Sequence, residues 1–350
     1  MTIATFAAAS ATNGYVPQAS GLVIAFVKKP EEFNINKWTQ LTPAPQPTGL
    51  YSRLDRDNGV RTKDAASYVW ADGADLPSGQ YFTSRFTVKE FRTQRHAVPW
   101  QLGHIAIENA TLWNPKLTHM QEAVSELMTL RTKRIYDLAE VGGNWSGNTD
   151  TATNLGGGKC DVGTSTTPYF AKTILSAAQK INLGTNGKVR INQLRAIISP
   201  PDAIRIGNSA EMKDYLKGSV YSRPQLEDPF GSVNSMWGLP HFFQGVELVV
   251  DDTPFVTEEM NVTAEATTNR IYAKPNATII IVARPGSLES DLSVQSFSTI
   301  QIFYYTKVGL MQVKIDNDGL HEKLRGWVID MTAEVITSPM SGYYITAATG

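Results

Sequence analysis

The chain has 350 residues, 42% of them hydrophobic and 19% charged, which is enough apolar side chain for a sizeable core and excludes wholesale disorder. The formal net charge of -1 and a pI near 6.5 exclude the global basic excess of a protein that holds nucleic acid by neutralising phosphates. Cys160 is the one cysteine, so an intramolecular disulfide and a CxxC metal site are excluded as well.

Residues 1–55 are rich in Ala, Ser, Thr and Pro. Met1 to Ser20 lacks a basic segment ahead of an apolar core and does not read as a signal peptide. The apolar run Gly21 to Val27 stops at Lys28-Lys29-Pro30, too short to span a bilayer, so no membrane partner is expected. Pro43, Pro45 and Pro47 alternate and forbid a helix; an extended arm lying along other surfaces is expected over 1–55. Residues 56–100 are polar, charged and strand-like in short pieces. Tyr81 to Val88 alternates at period two, as a two-stranded ribbon does, and Asp72-Gly73 and Ser78-Gly79 are turn signals. This segment has few large apolar residues, so it is expected to project and to gain stability from neighbouring chains. Trp70, Trp100 and Trp113 are open to two readings, as interface anchors or as parts of the chain's own core.

Asn114 is a good N-cap and Pro115 suits the first helical position. Pro115 to Val141 then holds no Gly and no further Pro, which predicts a helix about 40 Å long at 1.5 Å per residue. Leu117, Met120, Val124, Leu127, Ile135 and Leu138 recur at three- and four-residue spacing on its apolar face. Arg131 interrupts that stripe and narrows it. Gly142-Gly143 is expected to end the helix through a left-handed glycine. A second helix is predicted from Thr167-Pro168 to Asn182, with Phe170, Ile174, Leu175, Ala178 and Ile181 inward. Buried strands follow at Leu194 to Ile198, Val246 to Val250 and Thr278 to Val282, with a short helix around Ser209 to Lys217. Ile300 to Tyr305 and Gly309 to Ile315 are expected to pair with each other, and Trp327 to Ile336 reads as a long strand. The fold class is therefore mixed α+β.

Catalytic templates fail one by one. Gly156-Gly157-Gly158-Lys159 lacks the earlier glycine of a phosphate loop, because position 153 is Thr, and its Lys is followed by Cys160 rather than Ser or Thr. His96, His104, His119, His241 and His321 never stand three or four apart, so helical metal-ligand spacing is missing. Asp251 and Asp252 are adjacent, and neighbours in a strand point to opposite faces. No enzyme activity, cofactor or metal is expected.

The succession of elements resembles the major capsid proteins of tailed phages, whose fold is the Hong Kong 97 type. Tyr81-Phe82-Thr83-Ser84-Arg85 and Arg95-His96-Ala97-Val98-Pro99 resemble the family's extended E-loop. Pro115 to Val141 with its exit Gly142-Gly143-Asn144-Trp145 resembles the spine helix. Leu239 to Asp252 is similar to the strand before the A-loop, and the late long strand closing at Ser338-Pro339-Met340-Ser341-Gly342 resembles the returning P-domain strand. On this resemblance the chain divides into an N-terminal arm (1–55), E-loop (56–103), P domain (104–199, spine helix 115–141), A domain (200–320) and returning P-domain strand with C-terminus (321–350). It implies self-assembly into pentamers and hexamers that form an icosahedral head shell around double-stranded DNA, held by weak non-specific contact. Assembly would take place in the bacterial cytoplasm, and the protein would end in the virion. Trp70, Tyr81, Phe82, Arg85, Phe86, Arg92, Arg95 and Trp100 are the inter-subunit contacts it suggests. Scaffold, portal and decoration proteins are the further partners it implies. Some relatives crosslink an E-loop lysine to a neighbour's asparagine; Lys63 and Lys89 lie in this loop, but neither aligns, and no crosslink is expected. An encapsulin-type compartment, which has the same fold and packages protein, is the rival reading; an α+β enzyme and another virion part are remoter ones.

Overall fold

The computed structural model describes residues 28–53, 87–108, 114–218, 233–234, 237–256, 270–285, 298–318 and 323–350. In chain order these form α1 (Ile35–Trp38), β1 (Gln40–Ala44), β2 (Thr48–Arg53), β3 (Thr87–Arg92), β4 (Gln94–Gly103), α2 (His104–Glu108), α3 (Pro115–Ala139), β5 (Thr149–Thr151) and α4 (Ala152–Gly156). Then come α5 (Tyr169–Gly184), β6 (Leu194–Ile198), α6 (Pro200–Asn208), α7 (Ala210–Gly218), β7 (Val233–Asn234), β8 (Leu239–Pro240), β9 (Phe242–Phe243) and β10 (Val246–Val250). The last third holds β11 (Pro254–Val256), β12 (Arg270–Tyr272), β13 (Ile279–Ala283), β14 (Ile300–Tyr305), β15 (Gln312–Asp318), β16 (Lys323–Ile336) and β17 (Gly342–Thr346).

Two sheets carry the body. One has the order β5-β17-β13-β6-β10-β9. Its central strands read as continuous apolar runs because both faces are covered. Leu194, Ala196, Ile198, Ile279 and Ile281 face α5, α6 and α7 on one side. Ile197, Ile280, Val282 and Tyr344 face the C-terminal half of α3 on the other. The second sheet is built on β16, which takes β14 and then β15 along one edge and β4 along the other; β1 adds to β14 in parallel. The helix α3 lies across this sheet. Val98, Trp100, Leu102 and Val328 meet its N-terminal half at Ala123 and Leu127.

Several expectations need correction. The stretch 28–53 is not a free arm. Phe33, Ile35 and Trp38 are buried in the same core as Ile135 and Tyr136, with the Trp38 and Tyr136 rings 5.6 Å apart. Pro43 fits within β1 because β1 is an edge strand. Residues 94–103 do not stand free either: β4 pairs along its length with β16, because Val98, Trp100 and Leu102 form a period-two stripe that needs a helix to cover it. Strands β14 and β15 do not pair with each other; each pairs with β16. On the helices, Leu117 and Leu175 are exposed, and Arg131 is buried in the α3 face it was expected to interrupt. The boundary at 199/200 falls between β6 and the strands beside it, and β17, placed with the returning strand, lies in the same sheet as β6.

The end of α3 also differs from expectation. Neither Gly142 nor Gly143 has a positive φ; Ser146 takes the left-handed conformation instead. The last helical carbonyls are satisfied by side chains: Asn144 Nδ2 donates to Leu138 O at 2.8 Å and Trp145 Nε1 to Ala139 O at 2.7 Å. Trp145 in turn needs Gly342. A Cβ there would strike the Trp145 ring and stand 2.9 Å from Thr299 Cγ2 and 3.0 Å from Ile281 O. Gly342→Ala is therefore expected to lower stability by about 1–3 kcal/mol, read as a reduced urea midpoint; an unchanged midpoint would refute this packing argument.

Candidate inter-subunit surface

The antiparallel pair β2–β3 sets Thr48 opposite Arg92, Leu50 opposite Glu90 and Ser52 opposite Val88. Directly opposed residues share a face. All six side chains on this face are exposed, with Leu50 67% and Val88 61% accessible. Leu50 and Val88 are diagonal neighbours, so they form one apolar spot with Glu90 and Arg92 beside it. The opposite face anchors the hairpin to the body. Phe91 stacks on Phe303 with centroids 4.3 Å apart, and Tyr51 approaches the same ring at 6.1 Å. Arg53 donates to Asn144 O at 3.0 Å and to Ser146 Oγ at 3.1 Å, tying the hairpin to the exit of α3.

Of the residues singled out from the sequence, Arg92 lies on this outer face and Arg95 is exposed on β4. Trp100 takes the second of its two readings: it is buried, and a Cβ on Gly326 would strike its indole ring. Trp70, Tyr81, Phe82, Arg85 and Phe86 lie outside the described residues, as do Trp113 and Lys63. Leu50 and Val88 were missed. Their signal was the alternation of Thr48 to Arg53, hidden behind the prolines that assigned this segment to an arm.

Beneath the hairpin the body is held by buried polar groups. Arg131 Nε and Nη2 both donate to Asp330 Oδ2, at 3.0 and 2.5 Å. One turn later, Arg134 Nη2 pairs with Glu334 Oε1 at 2.9 Å and donates to Thr332 Oγ1 at 3.2 Å. Asp330, Thr332 and Glu334 alternate along β16 and so face α3 together. A second network joins the end of α3 to the other sheet. The fully buried Lys274 Nζ donates to Glu140 Oε1 at 2.6 Å and to Thr278 O at 3.1 Å, while Tyr344 Oη donates to Glu140 Oε2 at 3.0 Å. Tyr136 Oη donates to Asp251 Oδ2 at 2.5 Å. Burial, reinforced by Asp251, pushes the Tyr136 hydroxyl well above its ordinary range, and burial pulls Lys274 down against the raising effect of Glu140.

Burial pushes the Cys160 thiol up to about 12, far from a reactive thiolate. Gly156 and Gly158 are required by packing: a Cβ on the first would strike Thr173 Oγ1, and on the second would sit 2.7 Å from the Tyr169 ring. Among the described residues, no group of three His, Cys, Asp or Glu side chains is placed to hold a metal ion, and no helix is long and apolar enough to cross a membrane.

No family model matches the chain, and no curated protein does. Solved structures do. The capsid of Ralstonia phage GP4 superposes with a TM-score of 0.56 at 11% identity, covering 100% of this chain and 99% of that one. The capsid structure of the cyanophage P-SCSP1u gives 0.55 at 10% identity, covering 97% and 94%. A phage-related protein of Bordetella bronchiseptica RB50 gives 0.53 at 11%, covering 89% and 90%. The chain shares the fold of these structures, two of them phage capsids, a mixed α+β fold of the Hong Kong 97 type.

Proposed function

We propose that this chain is the major capsid protein of a tailed phage, a structural subunit that self-assembles into pentamers and hexamers of an icosahedral head shell. The observation that carries the reading is the match along essentially the whole of both chains to the capsid of a phage. The exposed Leu50–Val88 face supports it, since an apolar spot repeated in every copy is a natural contact between copies. In this reading α3 and the sheet on β16 form the peripheral domain. The six-stranded sheet with α5, α6 and α7 forms the axial domain, and β2–β3 is the root of the E-loop. The subunit is not an enzyme. It meets packaged double-stranded DNA through weak, local contacts, in keeping with a net charge of -1. Scaffold, portal and decoration proteins are its further partners, assembly takes place in the host cytoplasm, and the finished location is the virion.

Expression of the chain followed by negative-stain microscopy and sedimentation tests this. Shells, or rings of five and six, are expected; a monomer that persists at high concentration overturns the reading. Shells that enclose a specific protein instead of DNA in the infected or lysogenic host would favour an encapsulin-type compartment.

A further inference from the structure

The polar groups beneath α3 are not all satisfied. Asp330 is fully buried, yet the two Arg131 donors that reach it, Nε and Nη2, both go to its Oδ2; Oδ1 has no hydrogen-bond partner among the described residues. His96 stands directly opposite Asp330 across the β4–β16 pair. Its Nε2 is likewise shut off from solvent without a partner among the described residues. Opposed residues share a face, so His96 points into the layer that holds Arg131 and Arg134 from α3 and Asp330 and Glu334 from β16. Those four charges already balance as two pairs. The seam they form separates the apolar cluster around Val98, Trp100 and Leu127 from the one around Ile135, Ile300 and Ile336.

We infer that His96 makes this seam a proton-sensitive joint: a proton on its ring adds an unbalanced positive charge to two complete ion pairs, and β4 loosens while α3 stays pinned to β16. The direction follows from linkage. Burial first, then Arg134, hold His96 below its ordinary value of 6.5, against the raising effects of Glu334 and Asp330. A loosened β4 regains ordinary basicity and binds a proton that the packed form refuses. Acidification through the window below 6.5 therefore favours loosening, and the packed form regains its advantage as pH rises. The effect reaches the surface through short connections. β4 begins at Gln94, and Thr93 N donates to Pro47 O at 2.8 Å between the two strands of the hairpin. The joint is a property of the subunit and does not depend on the chain building a shell.

Hydrogen exchange of the purified protein, compared at about pH 7.5 and about pH 5.5 and corrected for intrinsic rates, tests the joint. Protection of residues 94–103 is expected to fall severalfold more than that of residues 115–139, with about tenfold as the ceiling that a loosened ring of ordinary value 6.5 sets at about pH 5.5. In His96→Gln, and in His96→Phe should the first fold poorly, that difference should vanish. A fall of the same size in both variants overturns the inference. A rise in wild-type protection also overturns it, because it would mean that the protonated ring has turned onto Asp330 Oδ1 and tightened the seam.

Discussion

Replacing Arg131 by methionine should cost about 3–5 kcal/mol of folding stability, because it removes the cation and leaves its carboxylate in place. Arg131 is 3% accessible and Asp330 0%. Both are shut off from solvent in the intact pair, and Oδ1 of Asp330 is already without a partner among the described residues. His96 stands opposite Asp330 on β4, and burial lowers its affinity for a proton. The neighbouring pair gives the contrast: Arg134 and Glu334 are 23% and 11% accessible, so solvent screens them, and Arg134→Met should cost clearly less. The double variant Arg131→Met with Asp330→Leu should recover most of the loss, since a buried pair exchanged for apolar side chains of similar volume is often neutral. Urea unfolding of the three variants decides it. A loss below about 1 kcal/mol in the single Arg131→Met variant would mean that the pair is worth no more than a surface one.

This pair also marks what the sequence could and could not reveal. The run Pro115 to Ala139 announced itself through its cap and spacing, and the strands at 194–198, 246–250 and 279–283 through unbroken apolar runs; both signals are local. Arg131 looked like a break in an apolar stripe because its partner lies 199 residues away, and charge pairing at that separation leaves no mark on either segment. The same limit explains β14 and β15. Adjacent strands joined by a short corner suggest a hairpin, but β16 outcompetes that pairing by offering 14 residues of edge. The prolines at 43, 45 and 47 were read for what they forbid. The apolar spacing at 33, 35 and 38 is what drives the preceding segment under α3. Of the candidate contacts, Arg92 and Arg95 are exposed as a contact must be, whereas the Trp100 position is explained by Gly326, a residue that no local pattern connects to it.

If the chain builds shells as proposed, Leu50→Asp and Val88→Asp, singly and together, should abolish shells and rings while leaving the subunit folded. The folding half follows from direction. Both side chains point away from the body, which is held by Phe91 and Tyr51 on the other face, so each change should move stability by no more than about 0.5 kcal/mol. The assembly half follows from desolvation. A carboxylate carried into an apolar contact without a partner loses its hydration and gains nothing. Truncating an interface anchor alone costs about 2–4 kcal/mol, roughly 30- to 700-fold in association. Every copy in the shell carries the change, so the penalty recurs at every contact of this kind and leaves no intact route to closure. Sedimentation and microscopy give the assembly readout and urea unfolding the folding one. Leu50→Ala should fall between wild type and the aspartates, separating loss of apolar area from the added charge. If shells form at wild-type yield with both aspartates in place, the outer face of β2–β3 is solvent-facing in the assembly, and the contacts between copies lie elsewhere on the chain.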